Sequence, residues 1–303
     1  MRLRWLPILA PAVLGLILSL ILNQTNVTNP ILYLRADLGT LILIMGVSLT
    51  VLAAAVMLLV DWVERQRLKN LLEAADERRR FLRRLDHELK NPLTAIMAGL
   101  ANVSAATNKE RRQDGLQSVQ AQVRRLSQLV AELRKLSDLE IRELDLTPVD
   151  IGELLQEVLA LAEDQPESKD RQISLSVPQV PWPLPKIMAD RDLLFLAVHN
   201  LFDNALKFTQ SGARVEVRAQ EDGAHVVIEV ADTGPGIPES DVAHIWEELF
   251  RGNSARGVPG SGLGLALVRA IVARHNGQVH LRSRPGQGTV FSMRLPLGEG
   301  SRR

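Results

Sequence analysis

The stretch Leu85–Ile96, "LDHELKNPLTAI", carries a titratable ring at His87, an acid beside it at Glu88 and a helix breaker at Pro92. Upstream, Leu68, Leu71, Ala75, Arg78, Leu82, Leu85 and Leu89 recur alternately three and four residues apart, a heptad seam with one flaw, at Arg78. His87 falls two positions after Leu85, on the outer face, where a histidine packed for structure would not sit. Pro92 lacks a backbone donor and is expected to kink the helix just below His87, helicity resuming through "LTAIMAGLANV". "SAATNKE" (104–110) reads as a turn, and a second seam follows at Leu116, Val119, Val123, Leu126, Val130 and Leu133. Two antiparallel helices of this kind bury one stripe each, so the spacing predicts a hairpin completed by dimerisation into a four-helix bundle.

Outward from this hairpin, the N-terminal side is apolar. Residues 5–22 and 38–60 contain no charged side chain. The second block, at about 1.5 Å per residue, reaches roughly 34 Å, enough to cross a bilayer. The first block ends "LILNQTNVTN" without a small-x-small cleavage site, which favours a retained span over a removed signal peptide. Arg2 and Arg4 precede the first block, Arg65, Arg67 and Lys69 follow the second, and the loop 23–37 holds only Arg35. That bias predicts two transmembrane helices with both termini cytoplasmic. The loop is too short to bury a core, so no extracytoplasmic ligand-binding domain is expected.

The C-terminal side changes texture. "VDIGELLQEVLALA" reads as a helix, "QISLSV" as a strand, and "PQVPWPLPK" as a loop because of its prolines. A long helix follows in "DRDLLFLAVHNLFDNALKFT". "ARVEVRAQ" and "AHVVIEVAD" are strands joined at Asp222–Gly223, "SGLGLALVRAIVARHNG" is a helix with a glycine stop, and "QVHLRSR" and "GTVFSMRLP" close the fold. This order is that of an α/β sandwich. Other chemistries are narrowed by composition. The net charge of +1 gives no ground for a nucleic-acid partner, the absence of cysteine removes disulfides, thiolate catalysis and Cys-type zinc sites, and the six histidines show no HExxH spacing.

"LDHELKNPL", "NLFDNALKFT", "DTGPGIP", "GSGLGLAL" and "GQGTVF" occur in that order. Together they resemble the H box, N box and glycine boxes of the membrane sensor histidine kinases of two-component systems, over roughly residues 81–296. One glycine box alone would be weak; five ordered motifs are not. The resemblance implies a helical-hairpin dimerisation domain and an α/β sandwich ATP-binding domain. The expected layout is a membrane unit at 1–60, a signalling helix at 61–80, a dimerisation and phosphotransfer domain at 81–145, and a catalytic domain at 146–298. It implies a homodimer in the bacterial inner membrane that uses ATP and Mg²⁺ and passes a phosphoryl group to a response regulator. The signal would enter within the bilayer or through a membrane partner protein.

By the same resemblance His87 is the phosphoacceptor, Glu88 the base that takes the proton from the ring, and Asn91 the residue that assists dephosphorylation of the regulator. Asn91 lies one turn from His87 on the same face; its plain alternative is a cap before Pro92. Asn204 is the principal Mg²⁺ ligand and Asn200 assists, amide oxygens being suitable hard ligands, while Lys207 offers a point charge to phosphate. Asp232 accepts from the adenine amino group, and Gly234 and Gly236 let the backbone approach the base. Taken alone, "DTGPG" would read as an Asx-capped turn. Gly260, Gly262, Leu263 and Gly264 precede a helix from Leu265 whose N-terminal donors would cradle phosphates. Arg251 and Arg256 flank a lid at 252–259. Gly286, Gly288 and Thr289 read as support for the last hairpin, and His199 as packing or rim.

Two departures from the family pattern stand out. "IWEELFR" replaces the usual pair of phenylalanines before the lid, with Trp246 and Leu249 standing in and Phe250 following. No HAMP relay of about fifty residues follows the second span. Only residues 61–86 separate it from His87, and one continuous helix is expected to fill that gap. Two rival readings, a chaperone- or topoisomerase-like ATPase and a non-catalytic membrane scaffold, have no use for "HELKNP" or would need a damaged nucleotide box.

Overall fold

The computed structural model describes residues 37–105, 108–163, 168, 170–180, 182–252, 255 and 257–297, with positions 14, 16, 17, 20 and 21. The chain divides into two compact units, Met1–Arg80 and Phe81–Arg303. The first helix described in full, α1 (Leu38–Ala105), starts in one and ends in the other. Asp37 caps it, accepting from the Thr40 amide at 2.7 Å.

In the first unit, α1 carries the apolar run expected at 38–60, and its large side chains there are exposed, Met45 and Leu52 among them. Among the described residues α1 is the one helix long and apolar enough to cross a membrane. The other expected span, 5–22, lies mostly outside the described residues; the five described positions within it are helical.

The second unit begins with the hairpin. α1 runs through Pro92 without interruption, and Pro92 is buried. The proline forfeits one rung of the helix ladder, and the packed side chains around it hold the helix together across the gap. α2 (Lys109–Ile141) returns along it, capped by Asn108, whose side chain accepts from the Arg111 amide at 2.8 Å. The two helices approach closely at Gly99 and Gly115. A Cβ on Gly99 would stand 2.6 Å from Val119 Cγ2, and one on Gly115 2.6 Å from Val103 Cγ2.

The two predicted seams divide. Phe81, Leu85 and Leu89 of α1 and Leu129, Leu133 and Leu136 of α2 pack around Leu249 and Leu263 of the sandwich, rather than serving only a hairpin seam. Leu93, Met97 and Leu100 on α1, and Leu116, Val123 and Val130 on α2, stay exposed, an apolar face without a partner among the described residues.

The sandwich follows. β1 (Thr147–Val149) pairs antiparallel with β3 (Ile187–Ala189), a small ribbon the sequence pattern did not disclose. α3 (Ile151–Glu163), α4 (Arg191–Phe208) and α6 (Gly264–Arg274) form a helical layer. The sheet is built from β2 (Gln172–Ser176), β4 (Arg214–Asp222), β5 (His225–Asp232), β6 (Gln278–Arg284) and β7 (Gly288–Pro296). Its order is β2-β4-β5-β7-β6, with β2 parallel to β4 and the other pairs antiparallel. A one-turn helix, α5 (Glu239–Val242), lies between β5 and the lid.

The core sits between the layers. Val215, Val217 and Ala219 of β4, Val226, Ile228 and Val230 of β5, and Phe291, Met293 and Leu295 of β7 alternate inward. Leu194, Ala197, Val198, Leu201 and Ala205 line one face of α4 at the helical period and meet them, nearly free of solvent. Asp190 caps α4 through Leu193 N–H and joins the domain to the hairpin's exit, since its Oδ2 accepts from Arg142 at 3.3 Å and from the Asp145 amide at 3.2 Å. Asp190 N–H donates to Nε2 of buried His275 at 2.9 Å, while His275 Nδ1 donates to the Ile271 carbonyl.

Leu194 is 0% exposed at the centre of this core. Leu194→Ala is expected to cost about 2–5 kcal/mol, the range for deleting a fully buried leucine side chain. Urea denaturation of the variant, followed by tryptophan fluorescence, checks it; a loss below about 1 kcal/mol would mean the layers collapse around the gap.

Candidate active site

α4 positions the centre of the site because its second face is polar. With Leu194, Leu201 and Ala205 turned into the core, the 3.6-residue period turns Asn200, Asp203, Asn204 and Lys207 the other way, into a cleft. The cleft floor is Asp232 at the end of β5 and Thr289 at the start of β7, opposite each other in register. The Gly260–Leu265 segment and the N-terminus of α6 close one side, and Phe250, Arg251 and Gly252 the other. Of the residues predicted for the site, Asn200, Asn204, Lys207, Asp232, Gly236, Arg251, Gly260, Gly262 and Gly264 all line this one cleft. Gly234 adjoins it through Asp232, and Leu263 is buried beneath it, 1% exposed, as a member of the cluster between hairpin and sandwich.

The orientations are specific. Asn200 Nδ2 donates to the Leu196 carbonyl at 2.8 Å, which aims its Oδ1 toward Gly264 at the start of α6. A Cβ on Gly264 would lie 3.1 Å from that oxygen. α6 begins at Gly264 rather than Leu265, with no side-chain cap and no acid in its first turn, so its free N–H groups face the cleft. Lys207 is engaged rather than free: its Nζ lies 2.5 Å from Asp203 Oδ2. Arg251 likewise donates to the carbonyls of Ala255 and Val258, at 2.8 and 2.6 Å, and so braces the lid. Arg256 lies outside the described residues.

Asp232 is a carboxylate in a dry place. Gly234 N–H donates to its Oδ1 at 2.8 Å. Burial pushes its pKa above the usual carboxylate value, and the amide hydrogen bonds of Gly234 and Thr289 pull the other way. Thr289, read from sequence as hairpin support, therefore belongs to the site. Gly236 has φ +70°, and a Cβ there would stand 2.2 Å from the Arg284 carbonyl, so glycine is required.

The phosphoacceptor candidate stands apart on α1. His87 is exposed, and Asn91 Nδ2 lies 3.0 Å from its Nδ1, one helical turn away. Nε2 thus points outward. Glu88 does not touch His87. Its Oε2 pairs with Arg125 of α2 at 2.9 Å, because neighbouring positions on a helix diverge by about 100°. In this structure Asn91, rather than Glu88, is the side chain beside the ring. His199 stacks with Phe195, ring centroids 6.2 Å apart.

The "IWEELFR" stretch splits its apolar side chains. Trp246 meets Phe291 edge-on at 5.8 Å, while Leu249 adopts φ +58° and is buried against the hairpin. Such a backbone costs a leucine about 1 kcal/mol or more, offset by burial of its side chain. Sequence reasoning missed Glu132, Asp203, Asp241 and Ser261 as lining residues. For Asp203 the signal was available, since it shares a helix face with Asn200 and Lys207. For Glu132, which comes from the other domain, there was none. Among the described residues no group of three or more His, Asp or Glu could hold a metal by itself. The donors that fit one are the amide oxygens of Asn200 and Asn204, completed by oxygens of a bound substrate.

Two family models match the chain: the His Kinase A (phospho-acceptor) domain at residues 77–141, and the histidine kinase-, DNA gyrase B- and HSP90-like ATPase at 189–299. The chain is 34% identical over 230 residues to the sensor-like histidine kinase SenX3 of Mycobacterium tuberculosis strain H37Rv, covering 74% of this chain and 55% of that one. It is 34% identical over 247 residues to the signal transduction histidine-protein kinase/phosphatase MprB of Mycobacterium sp. strain KMS, covering 76% and 45%. The chain thus spans about half the length of these relatives. Among solved structures, full-length ShkA in complex with AMPPNP is 33% identical, with a TM-score of 0.52, over 70% of this chain and 44% of that one.

The raised pKa of Asp232 carries a sign. The folded domain holds this proton more tightly than the unfolded chain does. The group's contribution is fully present below the ordinary carboxylate value and is lost as pH rises through the raised one. Asp232→Asn removes that loss and keeps an acceptor for Gly234. The variant is expected to be at least as stable as the parent at pH 7, with that advantage shrinking as pH falls toward the ordinary carboxylate value, yet to bind ATP more weakly. Thermal unfolding between pH 4 and 8, beside nucleotide titration, reads both; reduced stability at pH 7 would contradict the assignment.

Proposed function

The chain belongs to the sensor histidine kinases of two-component systems, and from that premise we propose that it transfers the γ-phosphoryl group of ATP to His87 and from there to an aspartate of a response regulator. The observation that carries this reading is the convergence of Asn200, Asn204, Asp232 and the Gly260–Gly264 loop in one cleft, with His87 exposed on a separate helix.

In this proposal Asp232 accepts from the adenine amino group, and the α6 N-terminus receives the phosphates. Asn204 and Asn200 hold Mg²⁺, which when bound neutralises the charge on the phosphate oxygens. The Nε2 lone pair of His87 attacks the γ-phosphorus as the bond to the β,γ-bridging oxygen breaks, and ADP leaves with that electron pair. The ring must then carry its proton on Nδ1. Asn91 supports that tautomer when its amide is turned to present Oδ1, since the nitrogen and oxygen of an amide occupy equivalent positions. Released from Arg125, Glu88 takes the Nδ1 proton afterwards.

Further parts of the reading rest on sequence and on the exposed faces. The apolar face of Leu93, Met97, Leu100, Leu116, Val123 and Val130 is the homodimer seam, burying a four-helix bundle. Residues 5–22 and 38–60 are two spans in a bacterial inner membrane with both termini cytoplasmic. The layout is 1–60 membrane unit, 61–80 signalling helix, 81–145 dimerisation domain and 146–298 catalytic domain. The signal enters within the bilayer or through a membrane partner. Asn91 assists regulator dephosphorylation, a role supported by its place beside His87 and by the kinase/phosphatase name of the MprB relative.

Incubation of the full chain with γ-labelled ATP tests the proposal. Acid-labile, base-stable label is expected on the parent and none on His87→Gln, with nucleotide affinity unchanged; label surviving in the variant would sink it. Asn204→Ala is expected to depress labelling by about a hundredfold or more, the scale of losing one charge-stabilising group, with secondary structure intact by circular dichroism. Asn91→Ala separates the remaining roles. A phosphatase residue leaves autophosphorylation within about threefold and slows dephosphorylation of the regulator, whereas equal loss of both would indicate that holding the His87 tautomer is its main work.

A further inference from the structure

Among the described residues lining the cleft, Glu132 is the one contributed by the hairpin; every other lies in the sandwich. It projects from α2, and its Oε2 accepts from Ser261 Oγ, which in turn accepts from Leu263 N–H at 3.1 Å. A carboxylate therefore sits at the glycine loop, beside the opening of α6, where the free backbone donors and the helix dipole favour an anion. The other acids of the cleft, Asp203, Asp232 and Asp241, belong to the sandwich itself, and its two bases are already engaged, Lys207 by Asp203 and Arg251 by lid carbonyls.

Contacts elsewhere hold Glu132 there. Arg84, three residues before His87, ion-pairs with Glu247, donates to the Glu248 carbonyl at 3.1 Å, and lies 5.6 Å from the centre of the Phe250 ring. Leu249 and Leu263 are clamped between Phe81, Leu85, Leu89 and Leu129. Leu249 keeps its left-handed backbone within that clamp, a conformation that persists only while its surroundings enforce it.

We propose that Glu132 is an internal competitor of the nucleotide: docking of the hairpin onto the sandwich seats its carboxylate on Ser261 of the glycine loop, beside the donors that a nucleotide phosphate needs. The proposal rests on the reading of the cleft as an ATP site. A carboxylate held there repels a second anion at the adjacent donors, so nucleotide and docked hairpin disfavour each other, and each weakens the other by the same factor. A kinase whose membrane unit loosened the docking would gain ATP affinity without any change in the cleft's own residues. Release of Arg84 in the same motion frees the segment next to His87, which couples nucleotide loading to exposure of the phosphoacceptor.

The test uses the full chain in lipid nanodiscs and measures displacement of a fluorescent ATP analogue by Mg·AMP-PNP in four proteins: parent, Glu132→Gln, Arg84→Ala and the double variant. Glu132→Gln keeps the side-chain volume and removes the charge; it is expected to bind about five- to tenfold more tightly, the low end of ordinary coupling between sites. Arg84→Ala, outside the cleft, is expected to tighten binding as well, and the double variant to gain little beyond Glu132→Gln, because both act on one docked state. Affinity in Glu132→Gln equal to or weaker than the parent overturns the proposal. So does a gain in Glu132→Gln with none in Arg84→Ala, since removal of charge without undocking would then explain it. Failure of all four proteins to bind nucleotide is a different result: it overturns the reading of the cleft, and the competitor with it.

Discussion

Burial of one face of α4 against the sheet is the constraint from which the geometry of the site follows. Leu194, Ala197, Val198, Leu201 and Ala205 meet the inward strands of β4, β5 and β7 with almost no solvent left between them. A helix held that firmly cannot rotate, and its period then dictates where the polar residues go. Asn200 and Asn204 face the cleft because Leu201 and Ala205 cannot. The same sheet ends in Asp232 and Thr289, so the carboxylate and the amides share one rigid base. Side chains on such a scaffold need little reorganisation when a charged ligand arrives.

The joint between hairpin and sandwich is held by a second device. Asp190 caps α4, receives Arg142 and the Asp145 amide from the hairpin's exit, and donates its own N–H to His275. The geometry selects one His275 tautomer, with Nε2 accepting and Nδ1 donating to the Ile271 carbonyl. One buried residue thus ties the start of α4, the end of α6 and the linker into a fixed corner. The remaining interface is different in kind. It rests on a few leucines, Arg84, the donation of Arg274 to the Leu139 carbonyl and one glutamate–serine contact, and it includes a strained backbone at Leu249. A firm corner beside a lightly held face suits a domain that swings about one end.

The basic side chains described in the cleft are committed within the sandwich itself. Lys207 and Arg251 line the cleft, but each is committed, to Asp203 and to lid carbonyls. Neutral amides and helix N–H groups do the remaining work. Such groups bind a metal–phosphate pair more readily than a bare polyanion, in keeping with donors supplied in part by the substrate.

The five motifs, their order and the period of the helices were enough to establish the family, the sandwich and the residues of α4, because each is a local pattern whose physics is complete within one element. Asn200, Asn204 and Asp232 were legible for that reason: a helix face and a strand end can be read from spacing alone. The alternation in "ARVEVRAQ" and "AHVVIEVAD" likewise revealed paired strands. What spacing cannot carry is the choice of partner. Leu85 and Leu89 read as dimer seam, yet they pack on Leu249 and Leu263, since apolar side chains do not encode which apolar surface covers them. The β1–β3 ribbon was invisible because three-residue strands owe their existence to each other across forty residues. Glu88 looked like a partner for His87 by adjacency, but the fold brought Arg125 to it. Glu132 belongs to the cleft only because two domains meet there; no local pattern marks a carboxylate whose role is set by another domain's glycine loop.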